Sequence, residues 1–417
     1  MTPKHTAPMA EQGARALALW LALSLAAMPA LAAQTDISSS PLTSTNSAQV
    51  KPNIMLLMDT SGSIGWGHMP DEVETVVGIG SVGYKSAQCN VLYYNPATVY
   101  ALPKQSNGLP FATPSFTAAR YNAYDSGSSA LVDLSTGFKA YDDTLWGTKG
   151  TLRTTGYNDT PQAAYYYVHS GGNPITGYTS AACADSDTGA ASIAASDGGI
   201  WTRKLVSATS GPGATDERLN FAIWYTYYRT RLHLIKSAAS LAFTPLTDSF
   251  RVSFITMNPK DSPTAPAINP SKYLPIADFD STQRGLWFDK LFSQTPGGSS
   301  PAREGLARVG RHYAGKQDGI NAGMTGDPVQ YSCQQNFTIM TTDGYWNGQT
   351  ESKGPGLYGG GLQLDGTTKV GQQDGDLGDP YSPRPFWDGA SDSIHVVTDK
   401  SNAYTDNTCS LSGKYRS

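Results

Sequence analysis

The chain has 417 residues with 30 basic and 34 acidic side chains, a net charge of minus four, and a 39% share of hydrophobic residues. That length and apolar share are enough for a substantial core. The weakly acidic balance argues against nucleic acid or an anionic lipid surface as a partner.

Residues 1–33 carry Lys4 and Arg15, an apolar core from Ala16 to Met28, and small residues Ala30-Leu-Ala32-Ala33 before Gln34, the pattern of a secretory signal peptide. Removing Lys4, Arg15 and Glu11 takes the charge count from 30 and 34 to 28 and 33, or minus five. Export is expected, and no later stretch reaches the ~20 apolar residues of a spanning helix. Residues 34–50 are rich in Ser and Thr and read as a flexible leader.

Asn53 to Met58 is a continuous apolar run of strand length, as in a strand buried on both faces of a parallel sheet. It ends abruptly in Asp59-Thr-Ser61-Gly-Ser63, so these oxygens emerge at the carboxyl edge of the sheet. Residues 66–214 are rich in Gly, Ser, Tyr and Asp with many turn signals. Val91-Leu-Tyr-Tyr94, Val99 to Leu102 and Ala164 to Val168 carry enough aromatic area to pack, so this is an insertion of irregular β structure rather than a linker. Within it, Gly78-Ile-Gly80-Ser-Val-Gly83 spells a dinucleotide fingerprint without a βαβ unit around it, and reads as a loop. His68, near Asp71 and Glu72, reads as a surface histidine rather than a base or ligand.

One helix is expected from Asp216 to Phe243. Phe221, Trp224, Tyr225, Tyr228, Leu232, Ile235, Ala239 and Ala242 fall on one face, Asp216 caps the start and Pro245 stops the run. Its late position puts the whole insertion between the first strand and the first helix, above the Asp59 loop. Phe250 to Met257 reads as a strand, and Pro301 to Tyr313 as a helix with proline at its first position. Gly310 to Lys316 resembles the start of a phosphate-binding loop, but Gln317 replaces the required hydroxyl. Asn336 to Thr341 is another β-branched run, ending in Thr342-Asp343-Gly344. Side by side, the two strands would hold Asp59, Ser61, Ser63 and Asp343 around one point at a crevice where open α/β sheets bind ligands. Carboxylates and hydroxyls without His or Cys are hard donors, suited to a divalent cation such as Mg²⁺, Ca²⁺ or Mn²⁺.

Residues 346–417 read as a loop-rich C-terminal segment. Asp374, Asp376 and Asp379 on a Gly-rich turn are a possible second calcium site, although a solvated acidic turn is preferred, and Ile394 to Thr398 has the character of one more strand. Cys89, Cys183, Cys333 and Cys409 all follow the signal peptide, so an oxidising compartment favours disulfides; sequence proximity suggests Cys89–Cys183 and Cys333–Cys409.

Asp59-Thr-Ser-Gly-Ser63 resembles the Asp-x-Ser-x-Ser signature of the metal-ion-dependent adhesion site in von Willebrand factor A domains, and Thr342-Asp343-Gly344 resembles that site's later aspartate loop. Gly297-Gly-Ser-Ser-Pro301 resembles the turn that supplies a middle hydroxyl, with Ser300 in that place and Ser299 as the alternative. The resemblance implies an α/β, doubly wound, mostly parallel sheet, with a core at 51–65 and 215–345. It also implies that Ser61, Ser63 and Ser300 touch the cation, that Asp59 and Asp343 hold it directly or through water, and that one position is left for a partner's carboxylate. Cys89 to Pro96, Asn220 to Arg231 and Asp318 to Trp346 are similar to the amino-terminal half of the PilC/PilY family of type IV pilus tip-associated proteins. Members of that family continue into a β-propeller, and nothing here reads as one, which implies a shortened member or the first part of a longer product.

The expected function is therefore that of a non-enzymatic, exported module at the periplasm, outer membrane surface or pilus tip. It would support pilus biogenesis, adhesion and twitching motility through an acidic group on a pilus component or host-surface protein. A surface-contact mechanosensing or regulatory module is the alternative. A metal hydrolase is disfavoured because no general base stands beside the serines.

Overall fold

A computed structural model describes residues 50–124, 130–141, 159–262, 265–331 and 334–344. Strand β1 (Asn53–Met58) comes first. Then follow β2 (Ala119–Arg120), β3 (Leu131–Val132), β4 (Tyr165–Ser170), β5 (Ser192–Ala194) and β6 (Ile200–Leu205). Helices α1 (Arg218–Tyr227) and α2 (Arg231–Phe243) lead into β7 (Arg251–Thr256) and β8 (Tyr273–Asp278). Helices α3 (Ser281–Ser293) and α4 (Ala302–Tyr313) precede β9 (Asn336–Thr341).

The main sheet has the order β8-β7-β1-β9. β1 pairs in parallel with β7 and with β9, and β8 runs antiparallel at the edge. Apolar residues of β1 serve both faces, as its unbroken run predicts. Leu56 and Met58 pack with Leu232, Ala239 and Phe243 of α2 and Trp287, Phe288 and Leu291 of α3. Met55 and Leu57 pack on the other face with Ala302, Val309 and Tyr313 of α4. Helices thus cover both faces of the sheet at β1 and β7, the arrangement that buries a central parallel strand, while the edge strand β9 stays largely exposed.

The described residues between 66 and 214 form largely irregular structure with the antiparallel pair β2-β3 and a three-stranded sheet β4-β6-β5. Their aromatic core includes Tyr84, Tyr93, Tyr94, Phe138, Tyr165 and Trp201. A disulfide joins Cys89 to Cys183, as proximity suggests, with a Cα–Cα distance of 5.9 Å. Cys333 and Cys409, together with Asp374, Asp376, Asp379 and the strand expected at 394–398, lie outside the described residues.

The helix expected from Asp216 to Phe243 is two helices. Tyr228 closes α1, and Thr230 opens α2 in extended conformation, its side chain accepting the His233 backbone N–H. The apolar spacing runs on across this break because the two helices serve different cores. Phe221, Trp224 and Tyr225 of α1 join the aromatic core of the insertion, whereas α2 packs on the sheet. Asp216 is not the N-cap; that place is held by Glu217, without a side-chain capping bond. The carboxylate of Glu217 instead accepts hydroxyl hydrogen bonds from Tyr94 at 3.2 Å, Tyr166 at 3.2 Å and Ser210 at 2.5 Å, which ties the helix start to the insertion. Ala242 is exposed rather than on the apolar face. Pro301 is the N-cap of α4 rather than its first residue. β8 and α3 are additional elements in a region where sequence reading placed none.

Candidate metal centre

β1 and β9 lie in register, Met58 beside Thr341, so the chain leaves both strands at the same carboxyl edge. Succession from β1 outward to β7 and β8 reverses to β9 on the opposite side, which makes the β1/β9 crevice a switch point of the sheet. Three loops meet there. The Asp59 backbone N–H donates to the Thr341 carbonyl at 3.1 Å and to Thr341 Oγ1 at 3.2 Å, fixing the first loop to β9. The Gly62 N–H donates to the Gly298 carbonyl at 3.1 Å, and the Gly297 N–H to the Thr60 carbonyl at 2.8 Å, docking the serine turn against the same loop. Gly298 has φ +79°, a left-handed conformation in which an L side chain is strained.

Asp59 is 0% exposed. Its Oδ1 accepts the Ser61 N–H at 2.8 Å, while its Oδ2 is buried with no well-aligned hydrogen-bond partner among the described residues. Burial pushes the Asp59 carboxyl up, the Ser61 hydrogen bonds and a weaker one from the Thr342 side chain oppose that, and the nearby charge of Asp343 pushes it up further. The Ser61 and Ser63 hydroxyl oxygens are 3.3 Å apart. Ser300 is buried and Ser299 only half-buried, which favours Ser300 as the inward-facing hydroxyl of that turn. The Asp343 side chain is 2% exposed, and its Oδ2 accepts from Arg231 Nη1 at 2.8 Å.

The structure therefore brings Asp59, Ser61, Ser63 and Asp343 to one rim, with the Ser300 turn docked alongside. A buried carboxylate oxygen without a donor is costly unless a cation or proton meets it. Two carboxylates among three hydroxyls are a donor set for a hard cation, so the residues present fit the divalent ion that the sequence implies. Among the described residues no group of three or more His, Cys, Asp and Glu side chains is placed to hold a metal; here the hydroxyls would complete the shell.

Sequence reading gave Arg231 no role and named Asp71 only as a neighbour of His68. Arg231 is 2% exposed and its Nη1 lies 2.5 Å from Asp71 Oδ1. No local signal marked it, because Arg231 opens a second helix after the break at Tyr228 to Thr230 and its partners are remote in sequence. His68 also differs from expectation: it is 2% exposed and stacked on Trp66 at 5.1 Å, because the aromatic insertion closes over it.

No protein-family profile matches the chain, and no solved structure matches it significantly. Curated relatives do. The chain is 30% identical over 352 residues to the type IV pilus biogenesis factor PilY1 of Pseudomonas aeruginosa strain PAK, covering 81% of this chain and 27% of that protein. It is 29% identical over 326 residues to PilY1 of strain UCBPP-PA14, covering 76% and 25%. The chain thus spans about a quarter of the length of the curated relatives it matches. On these matches, which extend the three similar segments across most of the sequence, the chain belongs to the PilC/PilY family.

Proposed function

We propose that this chain is the cation-dependent binding module of an exported, non-enzymatic type IV pilus biogenesis factor. Its sheet and helices form a von Willebrand factor A-like core at 51–65 and 215–345, and residues 66–214 are an insertion above the site. Asp59, Ser61, Ser63, Ser300 and Asp343 hold one Mg²⁺, Ca²⁺ or Mn²⁺. The bound cation supplies an electrophilic point for a carboxylate of a pilus component or host-surface protein. The observation that carries this reading is the fully buried Asp59 carboxylate, whose Oδ2 has no well-aligned hydrogen-bond partner among the described residues and which stands near a second carboxylate. The similarity to type IV pilus biogenesis factors supports the pilus assignment, and the amino-terminal signal pattern supports export to the periplasm, outer membrane surface or pilus tip.

The test is Asp59→Ala in the protein as expressed in piliated cells. Divalent-ion affinity is lost, and surface piliation, twitching or adhesion falls while the purified variant stays folded. Unchanged ion affinity refutes the site. Measuring surface-induced signalling in the same variant separates the adhesive reading from the mechanosensing one: signalling lost with adhesion intact favours the latter.

A further inference from the structure

Arg231 opens α2 and is 2% exposed, yet the cation site does not require it. It grips two separate parts of the molecule. Its backbone N–H donates to the Trp66 carbonyl at 3.1 Å, and its Nε to the His68 carbonyl at 2.7 Å. Nη1 lies 2.5 Å from Asp71 Oδ1 and donates to Asp343 Oδ2 at 2.8 Å. The guanidinium carbon is 5.1 Å from the centre of the Trp66 ring. Nη2 is buried with no hydrogen-bond partner among the described residues. A single guanidinium therefore joins residues 66–71, the stem by which the insertion leaves the first loop, to the second carboxylate of the site.

One positive charge divided between two carboxylates responds when either is claimed by something else. We propose that Arg231 is a positioning residue that couples cation occupancy to the insertion stem, because the cation and the guanidinium compete for Asp343. This inference rests on the cation-binding reading above. A divalent ion drawing on Asp343 also repels Arg231, whose remaining anionic partner is Asp71, so occupancy tightens the stem against α2. By reciprocity, displacement of the stem leaves Arg231 to Asp343 alone and weakens cation binding to the same degree. The insertion thereby gains a route to the site without contacting the ion.

The experiment measures Mn²⁺ affinity by calorimetry and amide hydrogen exchange of residues 66–77 with and without Mn²⁺. In the unmodified chain, Mn²⁺ slows exchange in this segment. Arg231→Gln removes the competitor, so affinity rises on the order of tenfold and the exchange response disappears. Arg231→Lys keeps the charge without the forked geometry, so affinity stays near that of the unmodified chain while the exchange response is lost. Asp71→Asn, at a position whose side chain is 23% exposed, lowers affinity and also abolishes the response, and it serves should Arg231→Gln fail to fold. Mn²⁺ binding with unchanged exchange at 66–77, or weaker binding in folded Arg231→Gln, overturns the coupling alone. Absence of Mn²⁺ binding in the unmodified chain overturns the cation site and the coupling together.

Discussion

Replacing Asp59 by Asn should stabilise the chain without metal and destabilise it, relative to the unmodified protein, with metal present. Asp59 is fully buried, its Oδ1 is satisfied by the Ser61 N–H at 2.8 Å, and its Oδ2 has no well-aligned partner among the described residues. An unsatisfied buried acceptor costs about 1–3 kcal/mol, more when charged. Asn preserves the Oδ1 bond and removes both the charge and its repulsion from Asp343. Its amide introduces a donor that also needs a partner, which offsets part of the gain, so a net stabilisation of about 1 kcal/mol is expected in chelator. With cation at a hundred times its dissociation constant, the unmodified protein gains about 2.7 kcal/mol and the variant gains nothing, which reverses their order. Urea denaturation in chelator and in saturating Mg²⁺ reads both halves of this crossing. If the unmodified protein is already the more stable in chelator, or if both respond equally to Mg²⁺, the assignment of Asp59 Oδ2 to a cation fails.

Three further outcomes test the architecture around the site. His233 is buried, and burial, with Arg229 and Lys236 adding to it, holds its imidazole well below the ordinary 6.5. The unfolded chain then binds the extra proton, so stability is unaffected above about pH 6.5 and falls below it by up to about 1.4 kcal/mol per pH unit; in His233→Gln denaturation curves this loss flattens. Reducing Cys89–Cys183, which closes a sequence separation of 94, should lower stability by up to about 4.7 kcal/mol in the chain-entropy account, seen as a drop in the urea midpoint with reductant. Leu57→Ala removes a side chain that is 0% exposed between β1 and α4, and should cost about 2–5 kcal/mol; a loss under 1 kcal/mol would contradict the packing described.

Local chemistry made the rim of the sheet readable. β1 and β9 are legible because each apolar run stops at an aspartate, and the parallel register sets those ends together. The break between α1 and α2 is less so, since Phe221, Trp224, Tyr225, Tyr228 and Leu232 keep helical spacing while serving two cores; only Thr230 as a capping residue marks it. α3 carried a readable start in Asp280, whose side chain caps the Gln283 N–H, but β8 before it is a short half-exposed edge strand with little pattern. Arg231 was beyond local reading altogether. Its partners Asp71 and Asp343 are remote in sequence, and only the tertiary arrangement decides that a cation on an apolar face is buried between them.

Calorimetric titration of the metal-free chain with Mn²⁺, compared with Asp59→Ala, Ser63→Ala and Asp343→Ala, addresses the five-oxygen site most directly. One cation per chain is expected at the sheet rim, with each variant folded and its affinity lowered by about a hundredfold or more. Mn²⁺ affinity that is the same in all four proteins, or no binding in the unmodified chain, would contradict it.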